Sequence, residues 1–219
     1  MPSLTDPIHL NMLGNSYKSG EPQRFGFYGL QWGDPNNVPY LRFIRDTYIL
    51  PYINFDHTAI EIGPGGGRWT RYLFSFRSLY VVDNHQELLD ELIKTFKAPN
   101  LILIKNSGTN FPGIPQNSVD FVFSFGVFVH LDQNIIGDYL KCLYPIVTNA
   151  ANIVIQYSDH TKEEARKNIG FSQNAPDEMR RLVKKMGYTI LEENLRFFAD
   201  GAAKKWPLRG SLKRASAFL

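Results

Sequence analysis

At 219 residues with 43% hydrophobic content, the chain can bury one substantial core and is expected to form a single domain spanning 1–219. Its one cysteine, Cys142, excludes an intrachain disulfide, and the opening MPSLTDPIHL lacks an apolar run of signal-peptide or membrane-span length. A cytoplasmic protein with no membrane partner is therefore expected. The formal charge of +3 neither demands nor excludes nucleic acid.

Residues 1 to about 37 have no clean period but hold Tyr17, Phe25, Phe27, Tyr28 and Trp32 among several glycines. Disordered tails are poor in aromatics, so this segment is expected to pack on the body. It reads as a cap over a substrate pocket or as an arm covering the sheet. From Val38 to Leu50, Leu41, Phe43, Ile44, Tyr48 and Ile49 follow a helical period that ends near Pro51. Asn54 to His57 then lead into a first strand ending at Glu61 and Ile62. Next come a loop with glycines at 63, 65 and 67 and a helix opened by Arg68, Trp69 and Thr70, with Trp69, Leu73 and Phe76 on one face.

A glycine loop between strand and helix brings backbone N–H groups up to a ligand, here expected to be a nucleoside. The nicotinamide-dinucleotide fingerprint G-x-G-x-x-G requires a third glycine where this chain has Arg68. What stands instead is Glu61-x-Gly63-x-Gly65-x-Gly67. Ser78 to Val82 form a second strand ending in Asp83, twenty residues beyond Gly63. At that distance a carboxylate suits the two ribose hydroxyls, and Asp83 also fits an N-cap for the helix beginning at His85.

Leu88, Leu89, Leu92, Ile93 and Phe96 place the next helix on the sheet, followed by strands at Leu101–Ile104 and about Val119–Ser124. Gln133 to Tyr144 is amphipathic, and Ile153 to Tyr157 reads as a buried fifth strand. The polar run Ser158 to Asn174 is a solvated face or a lid. Asp177 is placed to cap a helix that turns Met179, Leu182, Val183 and Met186 inward and stops at Gly187. Thr189–Phe197 and Arg214–Phe218 are expected to close the chain as a hairpin. Lys204, Lys205, Trp206 and Arg209 lie in the loop between them.

Taken together, IEIGPGGGRWT, the later N-x-G with I-P-x-N-S-V-D-F-V-F-S-F, and Val129-His130 resemble the class I S-adenosylmethionine-dependent methyltransferases. The likeness extends to a group linked to sugar and natural-product tailoring. It implies an α/β, doubly wound, mostly parallel seven-stranded sheet in the order 3-2-1-4-5-7-6, with a C-terminal antiparallel hairpin and the N-terminal cap. It implies S-adenosyl-L-methionine as cofactor, contacted by Glu61, Gly63, Gly65, Gly67, Trp69, Asp83, Asn84, Asn106, Ser107, Gly108 and Phe125. Members of the group commonly carry acidic residues at the positions of Ser107 and Gly126 and a histidine pair where this chain has Gln156-Tyr157. The sulfonium already activates the methyl group, so the protein needs to orient a nucleophile and, for a hydroxyl, to take its proton. His130, Tyr157 and His160 are the candidate bases. No paired histidine spacing resembles a metal site. Transfer to a hydroxyl of a small molecule, such as a sugar, is the leading expectation. Small amines, a protein or RNA acceptor, and a non-catalytic cofactor-binding module are the alternatives. A nucleic-acid partner would want a wider basic face than the last loop offers, and oligomeric state is not legible.

Overall fold

The computed structural model describes residues 33–194 and the backbone of 214–218. The first 32 residues of the expected cap and the loop 199–213 lie outside these. Helix α1 spans Pro39–Tyr48, with proline at its first position where no N–H is needed. Strand β1 is Thr58–Ile62, buried along its whole length. The glycine loop leads into a four-residue helix α2, Thr70–Leu73. The expected apolar face of Trp69, Leu73 and Phe76 is indeed buried, but Phe76 reaches the core from a turn in which its N–H bonds to Leu73. Packing of these three bulky side chains, and not helical propensity, holds this segment.

Strand β2, Ser78–Asp83, is followed by α3, Gln86–Thr95, then by β3, Leu101–Lys105, and β4, Val119–Ser124. Helix α4 is Gln133–Leu143 and β5 is Val147–Gln156, longer at its start than the sequence pattern suggests. A short α5, Glu163–Lys167, precedes α6, Pro176–Lys185, and β6, Thr189–Asn194. Helix α6 starts one residue before Asp177, on Pro176, and its N-cap Ala175 offers no side-chain hydrogen bond. Asp177 is therefore not the cap; it pairs with Arg180 on the first turn. Gly187 ends the segment at φ +86, as a terminating glycine should.

Strands β1 to β5 form a parallel sheet in the order β3-β2-β1-β4-β5. Successive side chains go to opposite faces. Ile60, Ile62 and Val122 join one core with α4 and α6. Ala59, Phe121 and Phe123 join the other with α1, α2 and α3. Helices thus cover both faces, as a buried parallel sheet requires. Ile93, expected against the sheet, is instead half exposed at the outer side of α3.

The last described strand, β7, Arg214–Phe218, pairs in parallel with β5 and with β6. The closing antiparallel hairpin is therefore not found. A tight hairpin joins strands through a few residues, whereas β6 and β7 are separated by 195–213, a length that suits a parallel crossover.

Candidate cofactor and acceptor site

The carboxyl ends of β1, β2, β3 and β4 meet at one edge of the sheet. There the loops that follow the strands supply polar groups that the sheet does not use. Pairing between β1 and β2 continues one residue past the strand, where Gly63 N–H bonds to Val82 O at 2.8 Å. On the other side, Ser124 Oγ donates to Ile62 O at 2.9 Å. These bonds fix the exit of β1, so the chain must turn at once. Gly63 (φ +68), Gly65 (φ +55) and Gly67 (φ +88) make that turn in the left-handed region. A Cβ on Gly63 would lie 2.2 Å from Val127 Cγ2, so the residue is needed both for conformation and for the approach of the loop that follows β4.

Glu61 is 1% exposed and accepts from Thr70 Oγ1 at 2.5 Å. Burial pushes its carboxyl up to about 8, against the Thr70 hydrogen bond and the Arg68 guanidinium, which both favour the charged form. Within the chain its first task is thus to tie the strand to the start of α2. Trp69 is buried, with its ring 5.4 Å from Phe123 and 5.1 Å from Phe125. The guanidinium of Arg68 lies over both Trp69 and Phe125.

Asp83 closes β2, buried, and one of its oxygens accepts from His85 N at 2.9 Å and meets His85 Nδ1 at 3.1 Å. That hydrogen bond raises the His85 pKa, opposed by its partial burial. The second carboxylate oxygen accepts nothing among the described residues. Asn84 follows, half buried. Asn106 N–H bonds to Asp83 O at 3.0 Å and so brings the end of β3 beside it. Its amide nitrogen donates to Gly108 O at 2.6 Å, while its Oδ1 is buried without a partner. Ser107 is exposed and exchanges hydrogen bonds with Asn110 across a tight turn. Gly108 sits at φ +98 with open space around it.

These features fit a nucleoside carrying a charged amino-acid tail. Asp83 has an oxygen to spare for hydroxyls, Asn106 offers an orphaned acceptor, and the loop backbone carries no side chain at Gly63, Gly65, Gly66 and Gly67. Glu61, the loop glycines, Trp69, Phe125, Asp83, Asn84 and Asn106 lie along this one edge. Ser107 stands at its rim.

The candidate bases sit at the ends of β4 and β5. His130 closes a 3₁₀ turn, Phe128–His130, and its Nδ1 lies 2.6 Å from Gly170 O. A carbonyl only accepts, so Nδ1 is the donor in this contact. Phe171 packs edge-on against the same ring at 5.5 Å. The segment 158–174 is stitched down around it. Ser158 Oγ donates to Ser172 O, Ser172 N–H to Val129 O, and Asn174 Nδ2 to Leu131 O. His160 is anchored through its backbone to Asn174 O, and its Nδ1 is buried without a hydrogen bond. Tyr157 is different: it is 1% exposed and donates to Glu193 Oε1 at 2.6 Å. Burial and the Glu193 carboxylate push its ionisation far up, holding the phenol protonated.

Some contributors were not singled out in the sequence. Tyr139 donates to Gly108 O at 2.9 Å, and Gln156 Oε1 accepts from Gly126 N at 2.9 Å. Thr70 and His85 hold the two carboxylates. Tyr139 lies in the amphipathic stretch Gln133 to Tyr144, where an aromatic side chain reads as core. The position of Gln156 at a strand's carboxyl end was the available signal for it.

Residues 60–147 match the family model described as a methyltransferase domain. No curated protein matches the chain. Among solved structures, it is similar to an S-adenosylmethionine-dependent methyltransferase from Archaeoglobus fulgidus at 16% identity, over 80% of each chain, with a TM-score of 0.59. Another from Mesorhizobium loti shares 9% identity over 70% of this chain and 82% of that one, with a TM-score of 0.57. A phosphoethanolamine N-methyltransferase from Haemonchus contortus matches 48% of this chain at 18% identity and a TM-score of 0.43; the match spans 23% of that protein's length.

Proposed function

We propose that this chain, an S-adenosylmethionine-dependent methyltransferase of the Rossmann-like class, moves a methyl group to a hydroxyl of a small-molecule acceptor such as a sugar or natural product. The cofactor supplies a methyl group made electrophilic by its sulfonium. The chain's part is to hold both partners, exclude water and take a proton. In this reading the loop from Glu61 to Gly67 receives the amino-acid part of the cofactor and the free oxygen of Asp83 receives the ribose. Asn84, Asn106, Ser107, Gly108, Trp69 and Phe125 line the remainder. The chain acts as one cytoplasmic domain of 1–219, with a full sheet order of 3-2-1-4-5-7-6, and residues 1 to about 37 cover the acceptor.

The observation that carries the hydroxyl assignment is the bond from His130 Nδ1 to Gly170 O. With Nδ1 engaged as a donor, the reading gives Nε2 the task of taking the acceptor's proton. An amine acceptor needs no such base, and Tyr157 is held as a hydrogen-bond donor. His160 stands as the alternative base, with its buried, unpartnered Nδ1.

Calorimetry with S-adenosylhomocysteine tests the cofactor assignment. The native chain is expected to bind in the micromolar range. Asp83→Ala is expected to weaken binding by roughly 10–100-fold, since hydrogen bonds to a charged group contribute about 1.5–3 kcal/mol. Unchanged affinity in the variant would remove Asp83 from the site.

A further inference from the structure

Strand β3 pairs with β2 along its whole length, and among the described residues no strand pairs with its other side. The bonds at the two ends of this ladder show which backbone groups are left over. Leu79 N–H bonds to Asn100 O at 2.9 Å, and Asn106 N–H to Asp83 O at 3.0 Å. Alternate residues of a strand turn N–H and C=O to the same side, so Ile102 and Ile104 are spent on β2, whereas Leu103 and Lys105 turn theirs outward. Such an edge is normally blunted by proline, by a bulge or by charges along the strand. Here Leu101-Ile102-Leu103-Ile104 is aliphatic, the register against β2 is unbroken, and the strand's one charge is its last residue, Lys105.

The surfaces on both sides of the edge are apolar as well. On one face Ile102 is 38% exposed, and the connection 106–118 supplies no helix to cover it. On the other, α3 buries Leu88, Leu89 and Leu92 and leaves Ile93 51% exposed. Ile93 shares a helical stripe with Gln86 and Asp90, and in a right-handed β2-α3-β3 crossover that flank looks out past β3, away from α2. The charges of this segment are sorted by position. Glu87 and Asp90 stand in its first half, Lys94 and Lys97 at its end. Glu91 and Lys94 pair with each other at 3.5 Å, whereas Glu87 and Lys97 make no ion pair among the described residues.

We infer that the chain forms a two-fold dimer through β3 and α3, which joins the two sheets into one. The edge is its own complement. Antiparallel pairing centred on Leu103 sets that residue opposite itself, where the two copies exchange both N–H···O=C bonds, and sets Ile102 opposite Ile104 on the uncovered face. With paired strands about 4.8 Å apart, two α3 helices that each pack on β2 and β3 come within about 10 Å, a helix-packing distance. They run antiparallel, so the acidic first half of one lies beside the basic end of the other, and Ile93 of each copy is covered. Because the paired strands are antiparallel, the carboxyl ends of the two sheets face opposite ways, and both cofactor edges stay open.

The test is sedimentation equilibrium of the full chain at micromolar concentration, with folding checked by circular dichroism. The native chain is expected at twice its own mass. Ile102→Lys and Ile93→Lys, each at an exposed side chain, should raise the dimer dissociation constant at least tenfold and leave the circular dichroism spectrum unchanged. Lys97→Glu should loosen the dimer by a smaller factor, through repulsion from Glu87 and Asp90 of the other copy, and Glu87→Lys added to it should restore the native value. A folded native chain that sediments as a monomer overturns the dimer. A dimer that both lysine variants leave intact places the interface elsewhere and overturns this one. Loss of the dimer in Lys97→Glu without recovery in the double variant overturns the antiparallel alignment of the helices.

Discussion

The two halves of the candidate site use polar residues in opposite ways. At the ends of β1, β2 and β3, polar groups are buried with capacity left over: one oxygen of Asp83, the Oδ1 of Asn106 and a glycine-lined backbone. At the ends of β4 and β5 most polar groups are spent on one another. Tyr157 is bonded to Glu193, Ser158 to Ser172, Asn174 to Leu131 and Ser172 to Asp132. A buried group kept unsatisfied costs stability, so it persists where a ligand completes it. A satisfied network costs little and rigidifies its surroundings. The first half is thus built to receive a fixed partner, the second to hold a wall in place around a variable one.

The sharpest way to break the first half is at Gly63. A methyl there would lie 2.2 Å from Val127 Cγ2, on a stiff β-branched side chain, at φ +68. Strain and overpacking together should cost Gly63→Ala about 2–6 kcal/mol. Urea denaturation is expected to show that loss, with S-adenosylhomocysteine binding lost alongside. Gly108→Ala, with φ +98 but open space around the new methyl, bears only the backbone strain and is the matched control. Equal losses at the two positions would mean that the close approach of Val127 does not matter.

His130 sharpens the comparison from the other side, because its bond to Gly170 makes it the wall residue best set for chemistry. His130→Ala should lower turnover by roughly 10²–10⁴ and leave S-adenosylhomocysteine affinity nearly unchanged. Full turnover in a folded variant would reduce the histidine to a fastening for the segment around Gly170.

The same contrast explains what could be read from the sequence. The strands β1 to β4, the helices α1, α3 and α4, and the alternation of layers follow from hydrophobic period and turn residues, all local. Glu61, the three glycines and Asp83 were visible because one loop and one strand end carry them at fixed spacing. Roles at the ends of β4 and β5 depend on contacts between residues far apart in the chain: His130 with Gly170, Asn174 with Leu131, Tyr157 with Glu193. No local pattern records which partner a tyrosine or histidine finds across such distances. For this reason Tyr157 stood beside His130 and His160 as a candidate base, with nothing in the sequence to show its bond to Glu193. The direction of β7 was misread for a related cause: strand propensity does not encode whether a long connection returns as a hairpin or as a crossover.

Glu61 offers a gentler test by pH. Its carboxyl is pushed up to about 8 in the fold, from 4.5 when exposed. Between those values the folded chain holds a proton that the unfolded chain has released, so stability falls as pH rises. The slope approaches 1.4 kcal/mol per pH unit, and above about 8 the full loss is incurred. Glu61→Gln, which can still accept from Thr70, has no such proton to lose. Its stability relative to the native chain, measured by urea unfolding without cofactor, should rise steadily from pH 5 to pH 8. A difference that stays flat across that range would mean the carboxyl is already ionised at the lower end.

The smallest effect is expected at Tyr157, and it decides how far the comparison holds. Its hydroxyl donates to Glu193 Oε1, while Arg180 holds the other oxygen of that carboxylate at 2.6 Å. Removing the hydroxyl therefore leaves Glu193 one bond poorer but still paired, a situation that costs about 1–2 kcal/mol. Tyr157→Phe preserves the buried ring, so packing in the core should not change. Turnover and S-adenosylhomocysteine affinity should match the native chain, with only the urea midpoint reduced. A base, by contrast, cannot be deleted without losing roughly two to four orders of magnitude in rate. If Tyr157→Phe keeps its stability and loses its turnover, the hydrogen bond to Glu193 orients a reacting group, and the ends of β4 and β5 are not merely a wall but a second reactive surface.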